Sequence, residues 1–218
     1  MKSQDVGLLL KLVALERQEP ERAFSGVGLT LPDDWRDWAF DEDALVESDD
    51  SLGVSETGRA YAPYTIRALA DATGISKSQV SLAMERCLDV GLVRNERQTG
   101  RPRVNKQALF HFIVYGLPYV FPAKRGEVTR GVATSFGAPV LAERLTSAGD
   151  LPLVWPDARG NTKGQSIIPL FKTATHAVRR DADMYAMLAL TDAIRVGQPR
   201  ERQVATDLLS QHLTGQQR

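Results

Sequence analysis

The stretch from Thr65 to Met84, TIRALADATGISKSQVSLAM, restricts the possible local geometry more than any other part of the chain. Ala70 is small enough to let two helices cross closely. Gly74, four residues on, falls where the turn between them needs a left-handed backbone, which glycine adopts without steric cost. Ile75 and Val80 supply apolar plugs beneath the second helix. Thr65 is placed to cap a first helix over 66–73, and Ser76 to cap the second, with Gln79 completing an S-x-x-Q capping box. Val80, Ala83, Met84, Cys87 and Leu88 share one apolar stripe, and Gly91 ends the helix. This helix-turn-helix spacing suits a helix end held out of a small core, in reach of a DNA groove.

A basic hairpin is expected next. Leu92-Val93-Arg94 reads as a short strand, 96–103 as a turn and Val104 as the start of the return. Arg94, Arg97, Arg101, Arg103 and Lys106 fall within thirteen residues. Gly100 permits a tight tip, and Pro102 extends the backbone that carries its flanking arginines. Arginine in a narrow minor groove reads A·T-rich shape rather than base identity. On the second helix, a 100° step per residue turns Ser78 and Leu82 outward, with Gln79 and Arg86 on one edge and Ser81 and Glu85 on the other. Lys77 reaches forward from the first turn. The expected DNA-contacting set is therefore Ser76, Lys77, Ser78, Gln79, Ser81, Leu82 and Arg86, with Arg94, Arg97, Arg101, Arg103 and Lys106 from the hairpin.

Residues 64–108 resemble the winged-helix DNA-binding domain of MarR-type bacterial transcriptional regulators. Leu69, Ala70, Gly74, Ile75, Ser76, Val80, Leu88, Gly91, Leu92 and Val93, followed by the basic hairpin, carry the likeness. It covers about a fifth of the 218 residues and implies a homodimer on a pseudo-palindromic operator. The chain departs from that pattern in an insertion over 17–60 and throughout its C-terminal half.

Charge is distributed unevenly although the formal total is zero. Residues 16–57 hold 3 basic against 13 acidic groups, whereas residues 58–108 hold 9 against 4, so the basic block coincides with the helix-turn-helix and hairpin. The acidic segment reads as a long loop in which Trp35, Trp38 and Phe40 either anchor it to the body, touch a protein partner or mimic DNA charge. A first helix over 3–16, capped by Ser3, is apolar around nearly its whole cylinder. That pattern calls for burial on several sides, between its own domain and a partner subunit.

After the hairpin, Asn105 is placed to cap a helix through Tyr115, with Gly116 past its end. Residues 117–171 read as irregular with a short helix over 139–145, and helices over 175–196 and 199–213 close the chain. The expected fold is mainly α with a small β-hairpin wing. It comprises a winged helix-turn-helix domain over 1–116, with the insertion at 17–60, and a helical region over 117–218 for dimerisation or partner binding.

No enzyme is expected. His111, His176 and His212 lie on three separate helices without metal-ligand spacing, with His111 read as a core or interface residue. Asp181 and Asp183 point apart at i and i+2. The run from Gly160 to Gly164 lacks the phosphate-loop pattern. No catalytic, metal or cofactor residue is assigned. Cys87, the single cysteine, belongs to packing in a reducing cytoplasm, and the apolar run from Val6 to Val13 is too short for a membrane. Arg179 and Arg180, with Lys172 and Lys163, form either a second basic patch or a solvated helix face. The functional expectation is a dimeric repressor bound to double-stranded DNA. The alternative is an antitoxin-like or defence-associated protein that binds a partner and autoregulates its operon.

Overall fold

Burial on every side is what the first helix obtains, but from its own chain. The computed structural model describes residues 1–19, 31, 35–39, 62–142, 144 and 151–214. Helix α1 (Ser3–Gln18) buries Val6, Leu8, Leu9, Leu10, Leu12 and Val13 completely. It packs against α2 (Ile66–Thr73), α3 (Lys77–Asp89), strand β2 (Pro102–Val104) and α8 (Ala182–Val196). No partner subunit is needed to cover it, because the C-terminal region occupies the second face. Ser3 is the first helical residue rather than the cap. Lys2 takes the cap position, its backbone N–H donating to the Asp5 carboxylate at 2.7 Å.

The predicted helix pair forms as spaced, with the Thr65 hydroxyl accepting from the Ala68 N–H. The Ser76–Gln79 capping box does not form. Gln79 accepts instead from Gln4 of α1 at 2.9 Å, and the Ser76 hydroxyl meets that of Ser78. Strands β1 (Val93–Asn95) and β2 pair antiparallel, with Val93 opposite Val104 and both buried beneath the hairpin.

Beyond Asn105, which caps through Ala108 N–H, the chain does not stop at Gly116. Helix α4 (Lys106–His111) passes through a π-turn (Phe112–Gly116) into α5 (Leu117–Val120). Leu109, Ile113 and Leu117 face inward, four residues apart, and this stripe carries the helix through the glycine. His111 lies on the opposite face and is exposed, bonded to Gln107, so it is not the core residue that its apolar surroundings suggest.

Residues 117–171 contain a sheet the sequence did not announce. Strand β3 (Arg125–Thr134) pairs antiparallel with β4 (Leu153–Pro156) through its C-terminal half and with β5 (Thr162–Ile167) through its N-terminal half. Strands β4 and β5 pair in parallel and close the ring. So small a closure brings backbones almost into contact. A Cβ at Gly131, Gly160 or Gly164 would stand 2.1 Å from a neighbouring backbone atom, so glycine is required at each. Short helix α6 (Pro139–Ala142) follows β3.

The helix expected over 175–196 is broken in two, α7 (Ala174–Val178) and α8. Asp181 makes the break: it caps Met184 N–H and accepts from Lys11 of α1 at 2.7 Å, and an extended backbone there serves both contacts. Helix α8 is then fixed to the sheet by Asp192, whose carboxylate accepts from Trp155 Nε1 at 2.6 Å, Thr134 Oγ1 at 3.1 Å and Arg195 Nη1 at 2.6 Å. Trp35 and Trp38 pack on Tyr185 of α8, and Ala39 and Asp37 bond to the 159–161 turn, which is the anchoring role. Phe40 and most of the acidic segment lie outside the described residues. The molecule is mainly helical with a small sheet of few strands, and nearly all the buried apolar residues among those described form one continuous cluster.

Helix α9 (Pro199–Thr214) buries His212, and desolvation, assisted by the charge of Arg17, lowers its pKa to about 3. The unfolded chain takes up a proton below about pH 6.5 that the folded protein refuses, so stability is full above that value and falls as pH drops towards 3. Between pH 7 and pH 5 this group should cost about 2 kcal/mol, and His212→Leu should remove that component in urea unfolding. Equal losses in both proteins would contradict the assignment.

Candidate nucleic-acid interface

Helix α3 has one buried face, made by Val80, Ala83 and Cys87. Its other side starts with Ser76, Lys77 and Ser78 in solvent and continues to Leu82, which is 44 % exposed. The elbow before it depends on Gly74, whose φ is 68° and whose N–H closes α2 on the Ala70 carbonyl at 2.8 Å. Ser81 is half-buried, and Gln79 is engaged by Gln4. Arg86 makes a two-pronged contact with Asp5, at 2.9 and 2.6 Å, and this hydrogen bonding raises its already high pKa. Burial, with the nearby Asp5 charge, pushes the Cys87 thiol up to about 12, in keeping with a packing role.

The hairpin divides its cations in two. Arg94 and Arg97 point into solvent with no ion-pair partner among the described residues. Arg101 and Arg103 both donate to Glu19 at the end of α1, at 3.1 and 2.9 Å, and Arg103 also reaches Glu96 at 3.2 Å. Tyr64 adds a third donor to Glu19 at 2.6 Å. Burial alone would raise the Glu19 pKa, but the bonds from Tyr64 and Arg103 and the two arginine charges outweigh it and hold the carboxyl below its usual range. Lys106 pairs with the buried Glu16 at 3.1 Å, whose other oxygen accepts the Val104 N–H.

Of the seven predicted cations, α1 carboxylates therefore hold Arg86, Arg101, Arg103 and Lys106, while Lys77, Arg94 and Arg97 face outward. Sequence reasoning missed the acids responsible. A usable signal was present: at 100° per residue, Asp5, Glu16 and Glu19 fall within about 60° of one another on α1.

The C-terminal region also reaches this surface. His176 of α7 bonds through Nε2 to the Asp71 carbonyl of α2 at 3.0 Å. A cleft of about 560 Å³ opens there, between the Gly74–Lys77 elbow and His176 with Arg180. Arg179 turns away and pairs with Asp157. Gly160 and Gly164 are spent on sheet closure rather than on a phosphate loop. Among the described residues, no group of three or more His, Cys, Asp or Glu side chains is arranged to hold a metal ion, and no helix is long and apolar enough to cross a membrane. No family model, curated protein or solved structure matches the chain.

Gly74→Ala tests the elbow. A left-handed residue with a Cβ costs about 1–2 kcal/mol, and this Cβ would also stand 3.0 Å from Thr173. A loss of at least that size in chemical denaturation is expected; an unchanged midpoint would mean that the elbow does not need glycine.

Proposed function

We propose that the protein is a sequence-specific, double-stranded DNA-binding transcriptional regulator, with α2, α3 and the hairpin acting as a winged helix. One observation carries the reading. The first half of α3 exposes Lys77, Ser78 and Leu82 opposite its buried face, beside a hairpin whose Arg94 and Arg97 are uncommitted among the described residues. Inserted in a major groove, Lys77 would meet guanine O6 and N7, Ser78 either bond type, and Leu82 a thymine methyl. Arg94 and Arg97 would take phosphates or the minor groove. Arg101 and Arg103 already have a balancing carboxylate, so their contribution to DNA is smaller than their number suggests.

Two copies on a pseudo-palindrome, acting as a repressor, complete this reading. A second reading keeps the DNA binding but makes it autoregulatory, in an antitoxin-like or defence-associated protein that holds a protein partner. It is favoured by one exposed helical stripe: Gln107, His111, Tyr115 and Tyr119 recur every four residues, and Tyr119 is 82 % exposed. Uncovered aromatic surface of this kind is characteristic of interaction sites. Co-purification of a second protein that Tyr115→Ser and Tyr119→Ser release would select this version.

The central test is selection of bound duplexes from a random library by the full-length protein, with no enriched motif overturning the reading. Ser78→Ala with Leu82→Ala should change the enriched bases. In the same assay format, Arg94→Ala with Arg97→Ala should lower the slope of log affinity against log salt by about 0.9 for each phosphate no longer neutralised, whereas Arg101→Ala with Arg103→Ala should lower it less. The reverse order would mean that the Glu19-held pair carries the main interaction with the DNA backbone. Glu19→Gln should tighten binding and steepen the salt dependence by releasing that pair, and unchanged binding would show that Glu19 does not restrain it.

A further inference from the structure

Arg180 lies about a hundred residues beyond α3 in the chain, yet the two line one cleft. Its neighbour Arg179 is used internally on Asp157, whereas the Arg180 side chain is exposed and has no hydrogen-bond or ion-pair partner among the described residues. Lys77, the first residue of α3, contributes the second cation and is likewise exposed and without an ion-pair partner among the described residues. Asp71 supplies one opposing carboxylate, leaving two cations against one anion. The wall that carries Arg180 is tied to the helix pair. His176 bonds to the Asp71 carbonyl, and Thr173 and His176 pack so closely on Gly74 that an added Cβ would stand 3.0 Å from the first and 3.1 Å from the second.

We infer that this cleft is a second DNA-backbone site, in which Arg180, beside the base-facing Lys77, grips a phosphate of the strand bordering the groove that α3 enters. The inference rests on the DNA-binding reading above and adds to it a contact from the C-terminal half of the chain. Three features select duplex backbone as the occupant. The cleft is open rather than enclosed, its excess charge is positive, and it adjoins the exposed Lys77–Ser78 end of α3. A helix end seated in a major groove has sugar-phosphate strands on both sides, so a cation beside that end meets phosphate rather than base. The hairpin follows the opposite end of α3, and the protein would then hold backbone from two directions.

The experiment measures affinity of the full-length wild type, Arg180→Ala and Arg180→Glu for the enriched duplex and for a random-sequence duplex, between about 50 and 200 mM salt. Arg180→Ala should lower the salt slope by about 0.9 on both duplexes, which reduces the change in Kd across that range by about 3.5-fold, and leave the enriched motif unaltered. Arg180→Glu should weaken both duplexes further. Thermal unfolding of both variants should match the wild type, because the Arg180 side chain holds no partner among the described residues. An Arg180→Ala slope equal to that of a wild type that does bind DNA overturns this inference and leaves the DNA-binding reading standing. A wild type that binds neither duplex overturns both. Stabilisation of the wild type, but not of Arg180→Ala, by millimolar inorganic phosphate together with an unchanged DNA slope would make the cleft a small-anion site and also overturn it.

Discussion

The enclosure of α1 is the constraint on which the other parts depend. A helix that is apolar around nearly its whole circumference must be covered on several sides, and here the helix pair, the hairpin and α8 cover it. Its few charged residues then fix how those elements dock. Asp5 holds Arg86 of α3, Lys11 holds Asp181 at the head of α8, Arg17 holds Asp183, and Glu16 holds Lys106 together with the Val104 N–H. A buried charge without its partner is expensive, so each pair penalises a rotated or shifted α1 even where its net contribution to stability is small. The projecting end of α3 is thereby fixed relative to the C-terminal body.

The same pairs change the meaning of the basic block. Residues 58–108 carry an excess of positive charge, but α1 carboxylates already neutralise much of it inside the chain. Of the predicted DNA-contacting cations, Lys77, Arg94 and Arg97 are left facing outward, and Arg180 adds an exposed cation from a distant part of the sequence. Glu19, the residue that caps the end of α1, accepts from Tyr64, Arg101 and Arg103 together.

The three-stranded closure gives α8 a rigid support. Asp192 joins strand β3 through Thr134 and strand β4 through Trp155, while Arg195 balances the charge and bonds the Phe121 carbonyl. Tyr185 donates to the Ala133 carbonyl from nearer the start of α8 and receives both described tryptophans of the anchored segment. The sheet, α8 and α1 thus form a continuous path from the C-terminal half to the elbow, with α7 and His176 as a shorter parallel route.

Short-range chemistry made part of this legible from residues alone. The Ala70–Gly74 spacing, the Thr65 and Asn105 caps, the hairpin and the closing amphipathic helix depend on neighbours within a few positions, and each lies where its pattern indicates. The closed sheet did not show itself, because β3 is largely exposed over its first half and wholly buried over its last four residues, which erases the two-residue alternation. Its glycines resemble loop residues until the backbones they separate are known. The break at Asp181 and the commitment of Arg86, Arg101, Arg103 and Lys106 were equally hidden, since charge count and helical period cannot say which carboxylate lies across a tertiary contact. Local sequence thus determined which helix end could project. Long-range packing decided which cations remain beside it, because each ion pair forms between groups that only the folded chain brings within hydrogen-bonding reach.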